Sequence, residues 1–123
     1  MKSTATVLQQ LVRLLFLVLL ILGIAFWTGH ATNLLPVHMA AGVVLVFCLF
    51  IMAVLGLAAR VSPGQAIIAI IWGFIVIGLG VRQTELLTGS NHWIVQVLHL
   101  LVSMIAVGMN EGLAHAIKAK GAA

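Results

Sequence analysis

The sequence predicts an all-α integral membrane protein, an up-down bundle of four helices. Three observations predict it. Charged residues make up 7% of the 123, against about 25% in ordinary soluble domains, so the chain cannot coat itself with a water-soluble surface. Hydrophobic residues make up 63%, and the mean hydropathy is +1.28. The apolar residues fall into four runs of span length, where a hydrocarbon core about 30 Å thick needs roughly 20 apolar residues per helix. Four such spans use about 80 to 100 residues. The chain therefore reads as a single transmembrane domain over residues 1–123, and a soluble globular enzyme is excluded.

The first span is read from Val7 to Trp27. Lys2, the leucine-rich stretch and the small-x-small Gly29-His30-Ala31 loosely fit a cleaved signal peptide, but the span length argues for a retained helix. The second span runs from Leu34 to Ala59, with Asn33 as N-cap and Pro36 in the first turn. Arg60-Val61-Ser62-Pro63-Gly64 is a tight turn. The third span runs from Gln65 to Val81, and Arg82 to Asn91 form a polar connection. The fourth runs from His92 to Ile117, with Lys118 and Lys120 at its C-terminal end, where cations favour the helix dipole.

The positive-inside rule orients the bundle. The N-terminus, the Arg60 turn and the C-terminus share one side, with Lys2, Arg60, Lys118 and Lys120; the other side has only Arg82. Both termini are expected in the cytoplasm, in a bacterial inner membrane, with loops 28–33 and 82–91 outside. Trp27 and Trp93 then fall in the outer aromatic belt. The six Lys and Arg, five at chain ends and turns and Arg13 within the first span, form no stripe for nucleic acid. The lone Cys48, inside an apolar run, reads as a small buried hydrophobe.

Ionisable residues inside a membrane are costly and usually functional. His38 and His99 enter spans two and four from the same side and lie within roughly 10 Å of the outer boundary at the helical rise. A weak repeat supports the match. Thr28-Gly29 precedes His38 much as Thr88-Gly89 precedes His99, and a small residue, Gly42 or Ser103, follows each histidine by four positions. Spans two and four are diagonal partners, roughly 11–14 Å apart if neighbours pack at 8–10 Å. That gap suits a flat macrocycle held between two imidazoles, and neutral imidazole is the usual haem ligand. Gly42 and Ser103 clear the space one turn below. Each ligating ring is expected to donate its other N–H to a carbonyl one turn back, at Leu34 or Val95.

Pro36-Val37-His38-Met39-Ala40-Ala41-Gly42 and Gln96-Val97-Leu98-His99-Leu100-Leu101-Val102-Ser103 carry a resemblance to small four-helix b-type membrane cytochromes, the cytochrome b-561 group and its single-haem relatives. The resemblance covers the four spans. It implies bis-histidine haem b and electron transfer, often with quinone. The di-haem members hold a second histidine pair deeper in the bundle. Here the corresponding positions are Met52 and Leu113, and His115 has no histidine partner on span two, so one haem b per chain is expected on the outer side.

Two other readings stand beside this one. His38 and His99 can join spans by hydrogen bonds in a cofactor-free anchor or subunit of a larger complex. With His30 and His92 they would place four imidazoles at one mouth, a set for copper or zinc in a small metal-handling protein. If haem is bound, His92 and Arg82 are the candidates to meet its propionates. On the inner side, Arg13 and Glu111 lie at matched depth and are expected to pair, with Gln9, Gln10, Asn110 and His115 near. Arg13, Glu111 and His115 thus form a candidate polar pocket for a quinone headgroup or a proton path. Arg82 and Glu85 make a solvated loop pair of little value. Expected partners are the bilayer, quinol or an unidentified redox protein, and a second copy of the chain in a homodimer.

Overall fold

The computed structural model describes residues 1–122. It is all-helical and 85% helix: α1 (Lys2–Trp27), α2 (Leu35–Ala58), α3 (Pro63–Arg82) and α4 (His92–Ala122), with a 3-10 turn at Thr32–Leu34. All four helices are long and apolar enough to cross a membrane.

The helices overrun the predicted spans at several ends. α1 begins at Lys2 rather than Val7, and α4 continues past Ile117 to Ala122. Apolar content sets where a span can be buried, whereas nothing in Lys2-Ser3-Thr4-Ala5 breaks a helix, so the backbone winds on beyond the apolar run. At α2, Asn33 is inside the 3-10 turn and makes no cap; the N-cap is Leu34, without a side-chain hydrogen bond, while Pro36 occupies the first turn as expected. The turn between α2 and α3 is shorter than predicted, because Pro63 and Gly64 already belong to α3.

Side-chain periodicity divides each helix into a seam and an outer face. On α1, Ala5, Leu8, Gln9 and Val12 are buried at spacings of three and four, while Leu14, Leu17, Ile21 and Ile24 are exposed along another face. An exposed apolar face is costly in water and neutral in lipid tails. The core fills with Val12, Val46, Leu49, Met52 and Ile117, and Cys48 is a buried free thiol among them.

The bundle is a rhombus rather than a square. Each helix touches its sequence neighbours and α1 touches α4, but α2 also touches α4 directly, with Cα atoms within 8 Å, while α1 and α3 make no such contact among the described residues. The expected separation of 11–14 Å for the diagonal pair is therefore too large over part of its length. Gly56 explains the approach: a Cβ there would lie 3.2 Å from Leu113 Cδ2, so the missing side chain lets α4 close on α2. Trp72 donates its indole N–H to the Val102 carbonyl (2.8 Å) and ties α3 to α4.

Two ends can be distinguished by their residues. The histidine end carries His30, His38, His92 and His99 with the connections 28–34 and 83–91. At the lysine end, the Lys120 ammonium donates to the Arg60 carbonyl and Lys2 lies against Gly121, so the start of α1, the α2–α3 turn and the end of α4 meet.

Candidate functional site

Because α2 and α4 are the two helices that touch all the others, their facing residues look into the middle of the bundle. At the histidine end this space is not filled. A cavity of about 380 Å³ opens there, with His38 and His99 on its wall together with Gly23, Gly42, Gly80 and Ser103. Its other walls are mainly apolar, including Phe16, Leu45, Val46 and Val76. A few hundred cubic ångströms with few polar groups is the usual character of a cofactor or small-ligand site.

The two imidazoles face each other with ring centroids 6.5 Å apart and planes at 51°. They are too far apart to stack. Two imidazoles that bind one metal ion from opposite sides, with metal–nitrogen bonds of about 2 Å, have centroids roughly 6–7 Å apart. The angle between the ring planes is free in that arrangement.

Each imidazole is seated on a glycine of the helix before it. A Cβ at Gly80 would lie 3.1 Å from His99 Cε1, and one at Gly23 would lie 3.8 Å from His38 Cε1. Phe26 packs edge-on to His38, with centroids 5.4 Å apart. Gly23 and Gly80 were indistinguishable in the sequence from the other glycines of close-packed helices. No spacing signal marks them, because the contact is between helices. Gly42 and Ser103 do line the cavity as expected, and nothing approaches the Cβ position of Gly42.

The expected backbone partners of the two rings are not formed. Nδ1 of His38 and Nδ1 of His99 are buried without a hydrogen-bond partner. The carbonyls one turn back, at Leu34 and Val95, are already the acceptors of the helical ladder. Ser103 instead donates its hydroxyl to the His99 carbonyl (2.7 Å). Buried polar atoms are rarely left unpaired, and each omission costs about 1–3 kcal/mol. Two of them at one depth beside one cavity are a poor arrangement for packing alone.

The remaining histidines stand apart. His30 Nδ1 contacts Thr28 Oγ1 (3.1 Å), and His92 Nδ1 contacts the Leu86 carbonyl oxygen (3.1 Å). Among the described residues no group of three or more His, Cys, Asp or Glu is close enough to hold a metal ion. The four-imidazole site is thus not assembled: His30 contacts Thr28 in its own connection, and His92, the first residue of α4, contacts the connection before it. Arg82 and His92 do not line the main cavity either. Arg82 reaches Glu85 at 3.5 Å, the weak exposed pair expected. The polar groups of the cavity mouth are Gln83, Thr84 and Gln96. His92 lines a smaller adjoining space of about 170 Å³ with Thr32, Gln83, Thr84 and Gln96.

Deeper in the bundle, Met52 and Leu113 are buried core residues and leave no room for a second site at that level. Toward the lysine end, Arg13 and Glu111 form the expected pair through two hydrogen bonds, Nε to Oε1 (2.7 Å) and Nη2 to Oε2 (2.8 Å). The Gln9 amide N–H also donates to Glu111, and Lys118 donates to Gln9 Oε1 (2.6 Å). His115 is exposed and takes no part in this network, and neither cavity reaches it. It lies one turn beyond Glu111 on nearly the same side of α4, yet it makes no hydrogen bond to Arg13 or Glu111, so the three residues are not joined into one pocket among the described residues. Asn110 is fully buried, with neither its amide N–H nor its carbonyl paired.

Comparison with known proteins finds no matching family model, no matching curated protein and no matching solved structure.

Proposed function

We propose that this protein is a membrane-embedded b-type cytochrome that carries electrons through one haem held by His38 and His99. The observation that carries the reading is the facing pair of imidazoles, 6.5 Å apart across a cavity, each resting on a glycine. A bound haem supplies reversible one-electron chemistry at iron. The chain's own residues do the rest. His38 and His99 would hold the haem iron from α2 and α4, an arrangement suited to electron transfer rather than oxygen binding. Gly23 and Gly80 set how far each ring can retreat. The apolar walls exclude water, and Gln83, Thr84 and Gln96 offer hydrogen bonds to the polar edge of a bound group at the mouth.

In this reading the lysine end, with both termini, faces the cytoplasm by the positive-inside rule, and the membrane is the inner membrane of a bacterium. One haem near the opposite face leaves about half of the ~30 Å core without a redox centre. Electrons are then exchanged at the outer surface or with quinol moving in the bilayer. The histidine end holds only Arg82, at the end of α3, and Glu85, in the connection after it, as formal charges, which gives a charged soluble partner little to steer by. A lipid-soluble quinol suits that surface better. A cofactor-free anchor would use its histidines as hydrogen-bonding links between helices, and the unpaired Nδ1 atoms weigh against it.

The test is a spectrum. The purified protein should be red, with a sharp Soret band of six-coordinate low-spin haem and about one haem per chain. A colourless protein that stays colourless after incubation with haemin would refute the proposal.

A further inference from the structure

The lysine end holds a cluster of cations that neither the cavity nor the ion pairs account for. Among the described residues the ion pairs are Arg13–Glu111 and Arg82–Glu85, which use both acidic side chains of the sequence. Among the described residues Lys2, Arg60, Lys118 and Lys120 have no side-chain carboxylate at ion-pair distance. They come from three separate elements. Lys120 reaches the carbonyl of Arg60, Lys2 lies against Gly121 beside Lys120, and Lys118 is tied to α1 through Gln9. The positive-inside rule accounts for cations on one side of a membrane. It does not account for Lys2 and Lys120 being drawn together with the Arg60 turn by contacts between three elements.

The backbone at Arg60 fixes how its side chain is presented. α1 and α2 end in the same hydrogen-bonded cap. After α1, His30 N–H donates to Ala25 O and Gly29 N–H to Phe26 O; after α2, Val61 N–H donates to Gly56 O and Arg60 N–H to Leu57 O. The residue that must turn left-handed is Gly29 in the first cap (φ +80°) and Arg60 in the second (φ +58°). Glycine takes this conformation at no steric cost, whereas a residue with a Cβ is disfavoured by roughly 1–2 kcal/mol. Ala31 and Leu87 take positive φ as well, so the turn assigns no ligand by itself; it fixes where the Arg60 side chain leaves the backbone, beside the end of α4.

We infer that Lys2, Arg60 and Lys120, with Lys118 beside them, form a binding site for the phosphate of an anionic phospholipid headgroup. The site lies at the ends of helices of membrane-spanning length, at the level where lipid phosphates are found. Guanidinium and ammonium donors match phosphate oxygens, Arg60 with its planar fork and the lysines as point charges. Four cations are too few and too compact to track a nucleic acid. The inference does not depend on any cofactor.

The experiment uses the detergent-purified full chain. Its thermal midpoint, followed by tryptophan fluorescence, is measured in mixed micelles of phosphatidylglycerol or of phosphatidylcholine, and with inorganic phosphate in neutral detergent. Phosphatidylglycerol should raise the midpoint by several degrees over phosphatidylcholine, and inorganic phosphate alone should not. Arg60→Gly removes the cation and relieves the turn, so its midpoint in phosphatidylcholine should equal or exceed that of the wild type. Its apparent affinity for phosphatidylglycerol should fall roughly fivefold, the loss expected from one cation near a lipid surface. Lys2→Gln with Lys120→Gln should lower it further. Equal midpoints in the two lipids would overturn the proposal, as would an unchanged phosphatidylglycerol effect in these variants. A full shift with inorganic phosphate alone would show an adventitious ion only and would overturn it too.

Discussion

His99 rests on Gly80, with 3.1 Å between the ring Cε1 and the point where a Cβ would stand. His38 rests on Gly23 with 3.8 Å. The first contact is tighter than side-chain packing normally allows, and the second is ordinary van der Waals contact. Gly80→Ala should therefore displace its imidazole by a few tenths of an ångström, while Gly23→Ala should be tolerated. In haem titrations Gly80→Ala should weaken binding more than Gly23→Ala, and Gly80→Leu should abolish it. Gly80→Leu should also cost about 1–3 kcal/mol of stability through overpacking. Equal haem affinity in all three variants would show that the glycines do not seat the rings.

His38→Ala and His99→Ala should each lose the six-coordinate low-spin spectrum, and most of the haem with it. His30→Ala and His92→Ala should keep both, since those rings are bonded to Thr28 and the Leu86 carbonyl outside the main cavity. Full retention of the low-spin spectrum in either of the first two variants would exclude the pair as ligands.

The doubly bonded contact between Arg13 and Glu111 makes a thermodynamic cycle informative. Glu111→Gln leaves the Arg13 guanidinium without its carboxylate and should lower the thermal midpoint. Adding Arg13→Gln should recover part of the loss, because an unpaired charge in an apolar setting is the costly state. Strictly additive losses would mean that the two residues act independently.

Asn110 is buried with both halves of its amide unpaired. Leucine has nearly the same shape and no polar atoms to strand. Asn110→Leu should raise stability by about 1–3 kcal/mol, the usual desolvation cost of a stranded polar group, measured by denaturant or thermal unfolding in detergent. A loss of stability would show that the amide has a partner in solution.

Trp72→Phe removes the indole N–H that reaches the Val102 carbonyl while keeping most of the ring volume. The expected cost is about 1 kcal/mol. Val102 adjoins Ser103, whose hydroxyl holds the His99 carbonyl, so the variant should also broaden the Soret band of the haem-bound protein. An unchanged spectrum would limit Trp72 to a structural role.

The sequence by itself determined the class of this protein. Four apolar runs separated by polar turns leave the backbone no alternative to helices in a hydrocarbon environment, because every N–H and C=O must be paired within its own segment. It also determined which polar residues matter. Scarcity made His38, His99, Arg13 and Glu111 conspicuous, and helical rise placed each pair at one depth. Both pairs do face each other in the structure.

What the sequence left undecided depends on which face of each helix meets which neighbour. Nothing local distinguishes Gly23 and Gly80 from the other glycines, yet these two stand behind the imidazoles. Nothing local says that His30 and His92 turn to their own loops, that Gln83, Thr84 and Gln96 form the mouth, or that Trp72 crosses to α4. The conformation of the two connections decides the contacts of His30 and His92, and the packing of the four helices decides the rest. α4 closes on α2 where Gly56 lacks a side chain, and at the histidine end the same two helices leave a cavity between them. Helix rotation and approach follow from the fit of side chains between segments far apart in the chain, a property of pairs of surfaces that no single stretch of sequence contains.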